Sequence, residues 1–330
     1  GDVDKRQIHT HTPAASFLCR WAAQRTRQPY VAYTAHGLHV YRGAPISHRL
    51  LYGTAERLAA RWTDTLITMN REDTDWAKEN LRLKKGGSTV YIPGVGIDLE
   101  RYQMAGFDRA EFRKSLDVFE DAFILSFIGE LNKNKNQLML IEACERFKPS
   151  EPIRLLLVGE GPMEETYRRY VQERGLNNIH FLGFRDDIPK ILAVSDVIVL
   201  TSKREGLPRC VMEGMAAGKP ILGTNIRGTR DLVIDGENGF LVEVGDVGAL
   251  TEKIRELYTN APLRLQMGER NLERIKDFAL PKVMEALDKV YVDAGLFLSL
   301  IHISEPTRLL SHPYAVFCLK KKTTKPYPLS

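Results

Sequence analysis

The chain of 330 residues is long enough for two domains, and its 43% hydrophobic and 27% charged residues are typical of an ordinary globular protein. The longest uncharged apolar runs, such as residues 123–128, are too short to span a bilayer, and four scattered cysteines without C-x-x-C spacing predict reduced, unpaired thiols. The net charge of +5 gives little support to nucleic-acid binding, because residues 297–330 hold five basic side chains against Glu305 alone.

Short apolar stretches alternate with helical patterns from the beginning of the chain. Strands are predicted within residues 7–12, 30–34, 65–70 and 89–92, and helices at 14–25, 47–62 and 71–81. Pro93, Gly94 and Gly96 then form a turn-rich exit. Residues 1–105 are therefore predicted to be an incomplete α/β domain that lacks its first strands.

The same alternation continues over residues 106–280, which are predicted to form a second α/β domain. Its strands are predicted at 123–128, 154–158, 179–182, 197–200, 221–224 and 239–242, with helices between them and closing helices at 247–258 and 262–275. Short apolar strands that alternate with helices predict doubly wound parallel sheets. Ligands of such sheets bind at the carboxyl ends of the strands, where the glycine-rich loops of this chain fall.

The pattern changes at the end of the chain. Residues 281–296 are predicted to hold a C-terminal amphipathic helix. Residues 297–330 show no sustained period, and Ser299–Arg308 resembles translated sequencing-adapter sequence. This tail is predicted to be non-native or disordered. The alternative is a genuine basic tail that touches anionic lipid.

One segment carries the clearest functional signal, the stretch Glu205–Glu213. A buried strand at 197–200 precedes it, Gly206 lies in its loop, and Pro208 is placed to start a helix that contains the second carboxylate. A strand, loop and helix in this order direct backbone N–H groups and a positive helix end at one point, which suits a phosphate. Carboxylates beside it suit sugar hydroxyls, so the pattern favours a sugar nucleotide over a bare phosphate.

Together these motifs resemble the retaining glycosyltransferase family 4, whose members have the two-domain GT-B fold. The resemblance runs from about residue 7 to 292, and its strongest piece is the E-x7-E pair of Glu205 and Glu213. The segments 33–37, 41–45 and 92–98 look like the capsular and exopolysaccharide branch of that family. The resemblance implies two Rossmann-like domains, the first incomplete here.

The resemblance also implies roles for these residues. Glu205 would contact hydroxyls of the donor sugar, and Glu213 would accept hydrogen bonds from the ribose hydroxyls. The backbone around Gly206, Leu207, Pro208 and Arg209 would surround the diphosphate. For both carboxylates the alternative is a solvated surface position.

A lysine six residues after Gly129 corresponds to the family's lysine on the donor diphosphate. This is Lys135, which would stabilise the charge that grows on the leaving group. The family often has arginine directly after the glycine, whereas this chain has Glu130, so Lys133 is a candidate for compensation. Both lysines also fit a solvated loop.

The remaining donor-binding candidates lie on neighbouring loops. Gly159 and Gly161 are predicted to make tight strand-to-helix turns near the ligand. The resemblance makes Arg185 a candidate at the uracil base, and the alternative is a surface arginine. The run from Gly159 begins like G-x-G-x-x-G but has Glu164 at its sixth position, so a dinucleotide fingerprint is not met.

The resemblance places His36 near the transferred sugar and the leaving phosphate, as a third catalytic candidate beside Glu205 and Lys135. The alternative is a histidine that caps the end of a strand. The pair His9 and His11 lacks an evident third ligand, and Asp73 is better explained as a helix-start residue than as part of a D-x-D metal motif. No metal or other cofactor is therefore expected.

The predicted function is a retaining hexosyltransferase that moves a sugar from a nucleotide-sugar donor, UDP-sugar above all. The acceptor would be a polyprenyl-diphosphate-linked sugar or a glycan in surface polysaccharide synthesis. The expected location is the cytoplasm, with peripheral contact at the inner face of the membrane and no nucleic-acid partner. The alternatives are a non-catalytic nucleotide-sugar-binding fragment and a UDP-sugar epimerase of the same fold.

Overall fold

The structure is a computed structural model that describes residues 7–41 and 43–294. Two compact units divide the described residues: unit 1 takes those up to Val95 and those from Pro281 to Ala294, and unit 2 takes Gly96–Leu280. The tail predicted at 297–330 lies outside the described residues.

Unit 1 is built on a four-stranded parallel sheet whose strands follow the chain in order, β1-β2-β3-β4. Its strands are β1 Gln7–Thr10, β2 Tyr30–Ala35, β3 Thr65–Thr68 and β4 Ser88–Tyr91. Its helices are α1 Pro13–Arg25, α2 Ile46–Ala60 and α3 Arg71–Asn80, together with α12 Leu280–Asp293. Pro13 starts α1, since proline fits the first turn of a helix, and Asn70 caps α3.

Two apolar clusters hold unit 1 together. One joins Tyr33 and Leu66 of the sheet to Ala60 and Ala77 of the helices. The other brings the C-terminal helix onto the sheet, where Val283 and Val290 pack with Ile67 and Ile92. Unit 1 is therefore discontinuous in sequence, because its last helix comes after the whole of unit 2.

Unit 2 contains a six-stranded parallel sheet in the order β10-β9-β8-β5-β6-β7. Its strands are β5 Phe123–Ile128, β6 Ile153–Val158, β7 Ile179–Gly183, β8 Val197–Leu200, β9 Ile221–Thr224 and β10 Gly239–Val242. Its helices are α4 Arg109–Ser115, α5 Gln137–Glu145, α6 Glu164–Glu173, α7 Ile188–Val194, α8 Arg209–Ala216, α9 Thr229–Leu232, α10 Val247–Thr259 and α11 Ala261–Arg274.

The central strands of unit 2 are buried on both faces. Every residue of β5 and β8 is inaccessible or nearly so, which is why these strands are continuous apolar runs in the sequence. The strand order turns at β5, from which the chain moves outward first to β7 and then to β10. A crevice outside the carboxyl ends of the strands is expected at such a turning point.

The first and last residues of unit 2 lie side by side. The N–H of Ile97 donates to the carbonyl of Phe278 at 3.0 Å, and the N–H of Leu280 donates to the carbonyl of Ile97 at 2.8 Å. The chain thus enters unit 2 near residue 96, because Ile97 already pairs with the end of that unit. The sequence analysis predicts the boundary later, at 105/106.

Observed elements differ from the predicted ones mainly at their ends. Pro208 is the N-cap of α8 and not a residue of its first turn. The seven-residue helix α4 was not predicted, because it is too short to show an apolar period. None of the helices in the described part of the chain is long and apolar enough to cross a bilayer.

Candidate functional site

The three loops that follow β5, β6 and β7 are tied together by their backbones. The N–H of Leu131 donates to the carbonyl of Glu160 at 2.9 Å, and the N–H of Met163 donates back to the carbonyl of Leu131 at 2.9 Å. The N–H of Gly159 donates to the carbonyl of Gly183 at 2.8 Å. These bonds fix the edge of the sheet on which the predicted glycines lie.

Glycine is required at two of these positions, because the backbone of one loop packs directly against the backbone of the other. A Cβ on Gly159 would lie 2.2 Å from the carbonyl oxygen of Gly129, and a Cβ on Gly161 would lie 2.4 Å from the carbonyl oxygen of Leu131. No real Cβ approaches backbone so closely. The structure thus gives Gly159 and Gly161 a packing role, and it places Gly129 beneath the Lys135 side chain.

Lys135 is held at the start of α5 with its side chain pointing at the E-x7-E loop. Its backbone N–H donates to Asn132 Oδ1 at 2.9 Å, and the hydroxyl of Thr201 donates to its carbonyl at 3.1 Å. Its Nζ lies 2.8 Å from Oε1 of Glu205. The structure therefore brings together two residues predicted from motifs 70 positions apart in the chain.

Burial acts to lower the pKa of Lys135, but the charge of the Glu205 carboxylate and its hydrogen bond to Nζ help to raise the pKa above the ordinary lysine value. The amine is therefore a stable cation. An ammonium has three N–H donors, so contact with Glu205 leaves donors for an anionic ligand.

The Glu205 loop is fixed from both sides. The hydroxyl of Ser202 donates to Glu205 Oε1 at 2.6 Å, and Nε of Arg227 donates to the Glu205 carbonyl at 3.1 Å. Gly228, with φ at +77°, passes so close that a Cβ there would lie 2.2 Å from the carbonyl oxygen of Gly206. Ser202 thus orients the carboxylate, while Arg227 and Gly228 fix the backbone of its loop.

Glu213 lies in the second turn of α8, with its side chain 13% exposed. Its Oε1 accepts two hydrogen bonds, from the hydroxyl of Tyr102 at 3.0 Å and from Nε of Arg209 at 3.0 Å. The first N–H groups of α8 have no acceptor within the helix, as at any helix start. Glu213 therefore lies on the helix whose N-terminus begins at the predicted phosphate-binding loop.

The two predicted carboxylates both lie close to the buried thiol of Cys210, because both affect its pKa. Burial raises the pKa of Cys210 to about 12, with Lys135 lowering it and the charges of Glu205 and Glu213 raising it further. Cys210 thus lies within electrostatic range of all three charged groups. The thiol is neutral near pH 7.

Other predicted donor-binding residues are placed differently. Arg185 makes a two-pronged ion pair with Asp187, at 2.8 and 2.6 Å, which occupies its guanidinium. Lys133 is exposed. Glu130, which stands where arginine is common, accepts a hydrogen bond from the Asn132 amide at 2.8 Å. No described contact joins Arg185 or Lys133 to the Lys135–Glu205 pair.

His36 belongs to unit 1, at the carboxyl end of β2, where it meets two other histidines. Its Nε2 lies 3.2 Å from Nδ1 of His11, and His11 stacks on His9 with ring centres 4.5 Å apart. His9 is held by the hydroxyls of Tyr291 and, at 2.7 Å, Thr34. Burial lowers the pKa of His9 to about 3, that of His11 to about 4 and that of His36 as well, so these rings are neutral near pH 7.

Within residues 7–41 and 43–294 no group of three or more His, Cys, Asp or Glu side chains is placed to hold a metal ion. Asp73 lies in the first turn of α3, as predicted. Its Oδ2 accepts hydrogen bonds from the N–H of Leu38 at 2.9 Å and from the Asn70 amide at 2.8 Å. Its carboxylate is thus used in the fold.

Several residues at the site were not identified from the sequence. They are Tyr102, Ser202, Cys210 and Arg227. Ser202 and Cys210 flank or lie inside the E-x7-E stretch, so proximity was an available signal. Tyr102 lies 111 residues before Glu213, and no motif connects the two.

The comparison with known families decides the class of this protein. Residues 108–274 match the family described as "Glycosyl transferases group 1". The chain belongs to this family. It is a glycosyltransferase, as the sequence predicts.

Individual relatives extend the similarity beyond unit 2. EpsD of Bacillus subtilis (strain 168) is 39% identical over 289 residues, which cover 86% of this chain and 75% of the relative. The UDP-Gal:alpha-D-GlcNAc-diphosphoundecaprenol alpha-1,3-galactosyltransferase of Escherichia coli is 29% identical, with 87% and 75% covered. The capsular polysaccharide biosynthesis glycosyltransferase CapM of Staphylococcus aureus is 26% identical, with 86% and 76% covered.

Solved structures share the fold. HepE (Alr3699) of Anabaena, solved with UDP, superposes with a TM-score of 0.75 at 23% identity, covering 87% of this chain and 78% of HepE. HepE has also been solved with UDP-glucose, where the TM-score is 0.73. The predicted α/β fold of GT-B type, with two Rossmann-like domains, is thereby confirmed.

Proposed function

We propose that this glycosyltransferase moves a sugar from a UDP-sugar to a polyprenyl-diphosphate-linked or glycan acceptor during surface polysaccharide synthesis, with retention of the anomeric configuration. The single observation that carries the proposal is the Lys135–Glu205 pair, 2.8 Å apart at the carboxyl ends of the unit 2 strands and next to the N-terminus of α8. The names of the E. coli and S. aureus relatives, and the UDP bound by HepE, support the donor, the acceptor class and the pathway.

In this proposal the diphosphate lies between the Lys135 ammonium and the first amides of α8. The ammonium supplies charge and the helix start supplies N–H donors, which together stabilise an anion in a partly buried place. The Glu205 carboxylate, which Ser202 orients, accepts hydrogen bonds from hydroxyls of the sugar. Glu213 accepts from the ribose hydroxyls.

The transfer itself would occur on one face of the sugar. The bond from the anomeric carbon to the diphosphate oxygen breaks, the bond to the acceptor oxygen forms, and the acceptor proton passes to the departing phosphate. Lys135 lowers the barrier by stabilising charge on that phosphate, and the fixed loops hold the reacting groups in position. We propose that no metal is needed, and that His36 is a further catalytic residue.

We further propose that the enzyme works in the cytoplasm and touches the inner face of the membrane through α2. This helix exposes Ile46, Leu50, Leu51 and Leu58. Its exposed charges are arginines, and its one acid, Glu56, is buried and paired with Arg20 at 2.9 Å. An apolar and cationic helix face fits an anionic lipid surface.

Donor preference is tested by measuring melting temperature in the presence of UDP-, GDP- and ADP-sugars. We expect UDP-sugars to raise it, because a ligand that binds only the folded state stabilises that state. The stabilising UDP-sugar is then incubated with a short polyprenyl-diphosphate-linked sugar, and products are weighed by mass spectrometry. Stabilisation by GDP- or ADP-sugars alone contradicts the donor assignment. A new UDP-sugar formed without acceptor indicates the epimerase, and binding without any product indicates the non-catalytic alternative.

A further inference from the structure

The Glu213 carboxylate is engaged unevenly. Its two hydrogen bonds from Tyr102 and Arg209 both end on Oε1. Within residues 7–41 and 43–294 nothing donates to Oε2. An ionised carboxylate offers about two acceptor sites on each oxygen. Both acceptor sites of Oε1 are therefore used, and the two acceptor sites of Oε2 are not used by any described residue.

Tyr102 is well suited to hold this carboxylate. It ends the 3-10 turn Glu100–Tyr102 and is 6% exposed, packed in the main core of unit 2. Burial, followed by the charge of Glu213, raises its pKa well above the ordinary tyrosine value, so the phenol remains a hydrogen-bond donor. The side chain of Arg209, by contrast, is 46% exposed. The buried tyrosine is therefore the more rigid of the two supports.

We propose that Tyr102 is a positioning residue, which fixes Glu213 so that Oε2 receives both hydroxyls of the ribose 2′,3′-diol of the donor nucleotide. The inference rests on the proposed role of Glu213. It adds that ribose recognition depends on a phenol from a distant part of the chain. A single oxygen with two open acceptor sites matches a vicinal diol, whereas a nucleotide without these hydroxyls gains nothing from the arrangement.

The test compares UDP with 2′,3′-dideoxy-UDP by calorimetry, for the unaltered protein and for Tyr102→Phe. Because Tyr102 acts on the ribose only through Glu213, its loss should cost less than a direct charged hydrogen bond, and we expect UDP affinity to fall by roughly 3- to 30-fold, or about 0.7–2 kcal/mol. Affinity for the dideoxy nucleotide should stay unchanged. An equal loss for both nucleotides would show a general structural role, and no loss for UDP would also overturn the proposal.

Two further variants separate this inference from the function on which it rests. Glu213→Gln should weaken UDP binding, and adding Tyr102→Phe to it should cause no further loss. If Glu213→Gln leaves UDP affinity intact, the ribose role of Glu213 fails. If Glu213→Gln weakens UDP binding but Tyr102→Phe leaves UDP affinity unchanged, only the positioning role of Tyr102 fails. Tyr170→Phe is the matched control, because it removes a tyrosine–glutamate hydrogen bond of 2.9 Å to Glu145 in the same unit and should leave both nucleotide affinities unchanged.

Discussion

At the scale of single residues, the candidate site contains a partly buried cation, Lys135. Lys135 is 20% exposed and Glu205 14% exposed at the side chain, so their pairing is screened less than a surface ion pair. The pair keeps Lys135 charged and points it at the Glu205 loop. Without ligand, the contact with Glu205 would keep Lys135 in the orientation that the proposed diphosphate site requires.

Replacing Lys135 by glutamine should separate phosphate binding from base binding. Lys135→Gln can still hydrogen-bond Glu205 but lacks the charge, so we expect UDP affinity to fall by about 10- to 100-fold while uridine affinity is unchanged. Calorimetry with both ligands measures this. Lys148→Gln, at an exposed lysine elsewhere in unit 2, is the control and should match the unaltered protein. Equal losses for UDP and uridine would rule out a phosphate-specific role.

Residues of the candidate site could be identified from the sequence where they belong to a recognisable motif. Glu205, Glu213 and Lys135 follow from a loop and helix pattern together with a resemblance, and the fold brings Lys135 and Glu205 into contact. Tyr102 and Arg227 could not be predicted, because their contacts depend on how separate segments fold against the loop. The ion pair of Arg185 with Asp187 was equally invisible, since it depends on side-chain rotamers.

At the scale of elements, the loops after β5 and β6 cross with their backbones in direct contact. The crossing leaves no room for a side chain at Gly161, whose Cβ would face the N, C and O atoms of Leu131 at 2.7, 2.8 and 2.4 Å. Backbone moves less readily than a flexible side chain. A larger residue would therefore push apart the two loops that carry Gly129 and Gly159.

Gly161→Ala should lower the free energy of unfolding by about 1–3 kcal/mol, the usual range for overpacking. Urea unfolding followed by circular dichroism measures the change. The control is Gly248→Ala in α10, where a Cβ meets nothing closer than 3.4 Å. There we expect no loss or a gain of up to about 1 kcal/mol, since alanine favours helix. Similar results for the two variants would contradict the steric argument.

Most elements could be predicted because the buried parallel strands are short apolar runs between glycine loops. Strands β5, β8, β9 and β10 have the predicted bounds. Helix ends were less certain, since Pro208 fits either side of a helix start. Helix α4 gave no signal because seven residues span only two turns.

At the scale of the whole molecule, charge and apolar exposure are unevenly distributed. Part of the formal charge of +5 comes from the tail, whereas α2 combines exposed arginines with exposed leucines. Charge alone would bind lipid in a salt-sensitive way, and inserted leucines would resist salt. The two contributions can therefore be separated experimentally.

The prediction is that α2 gives the protein salt-resistant binding to anionic vesicles. Sedimentation with phosphatidylcholine vesicles, with and without phosphatidylglycerol, measures it. Leu50→Ser combined with Leu51→Ser should abolish the part of binding that survives high salt, because burial of each leucine is worth about 1.5–3 kcal/mol. Leu265→Ser, at a leucine of α11 that is 72% exposed, is the control and should bind like the unaltered protein. Unchanged binding by the double variant would exclude α2 as the contact.

The adjacency of Ile97 with Phe278 and Leu280 has a practical consequence for protein engineering. A polypeptide segment whose termini meet can be cut from its host gene, or spliced into a surface loop of an unrelated carrier, without stretching either junction. Residues 96–280 form such a cassette. Grafted between the halves of a fluorescent carrier, they would allow the proposed nucleotide binding to be followed as a change in fluorescence.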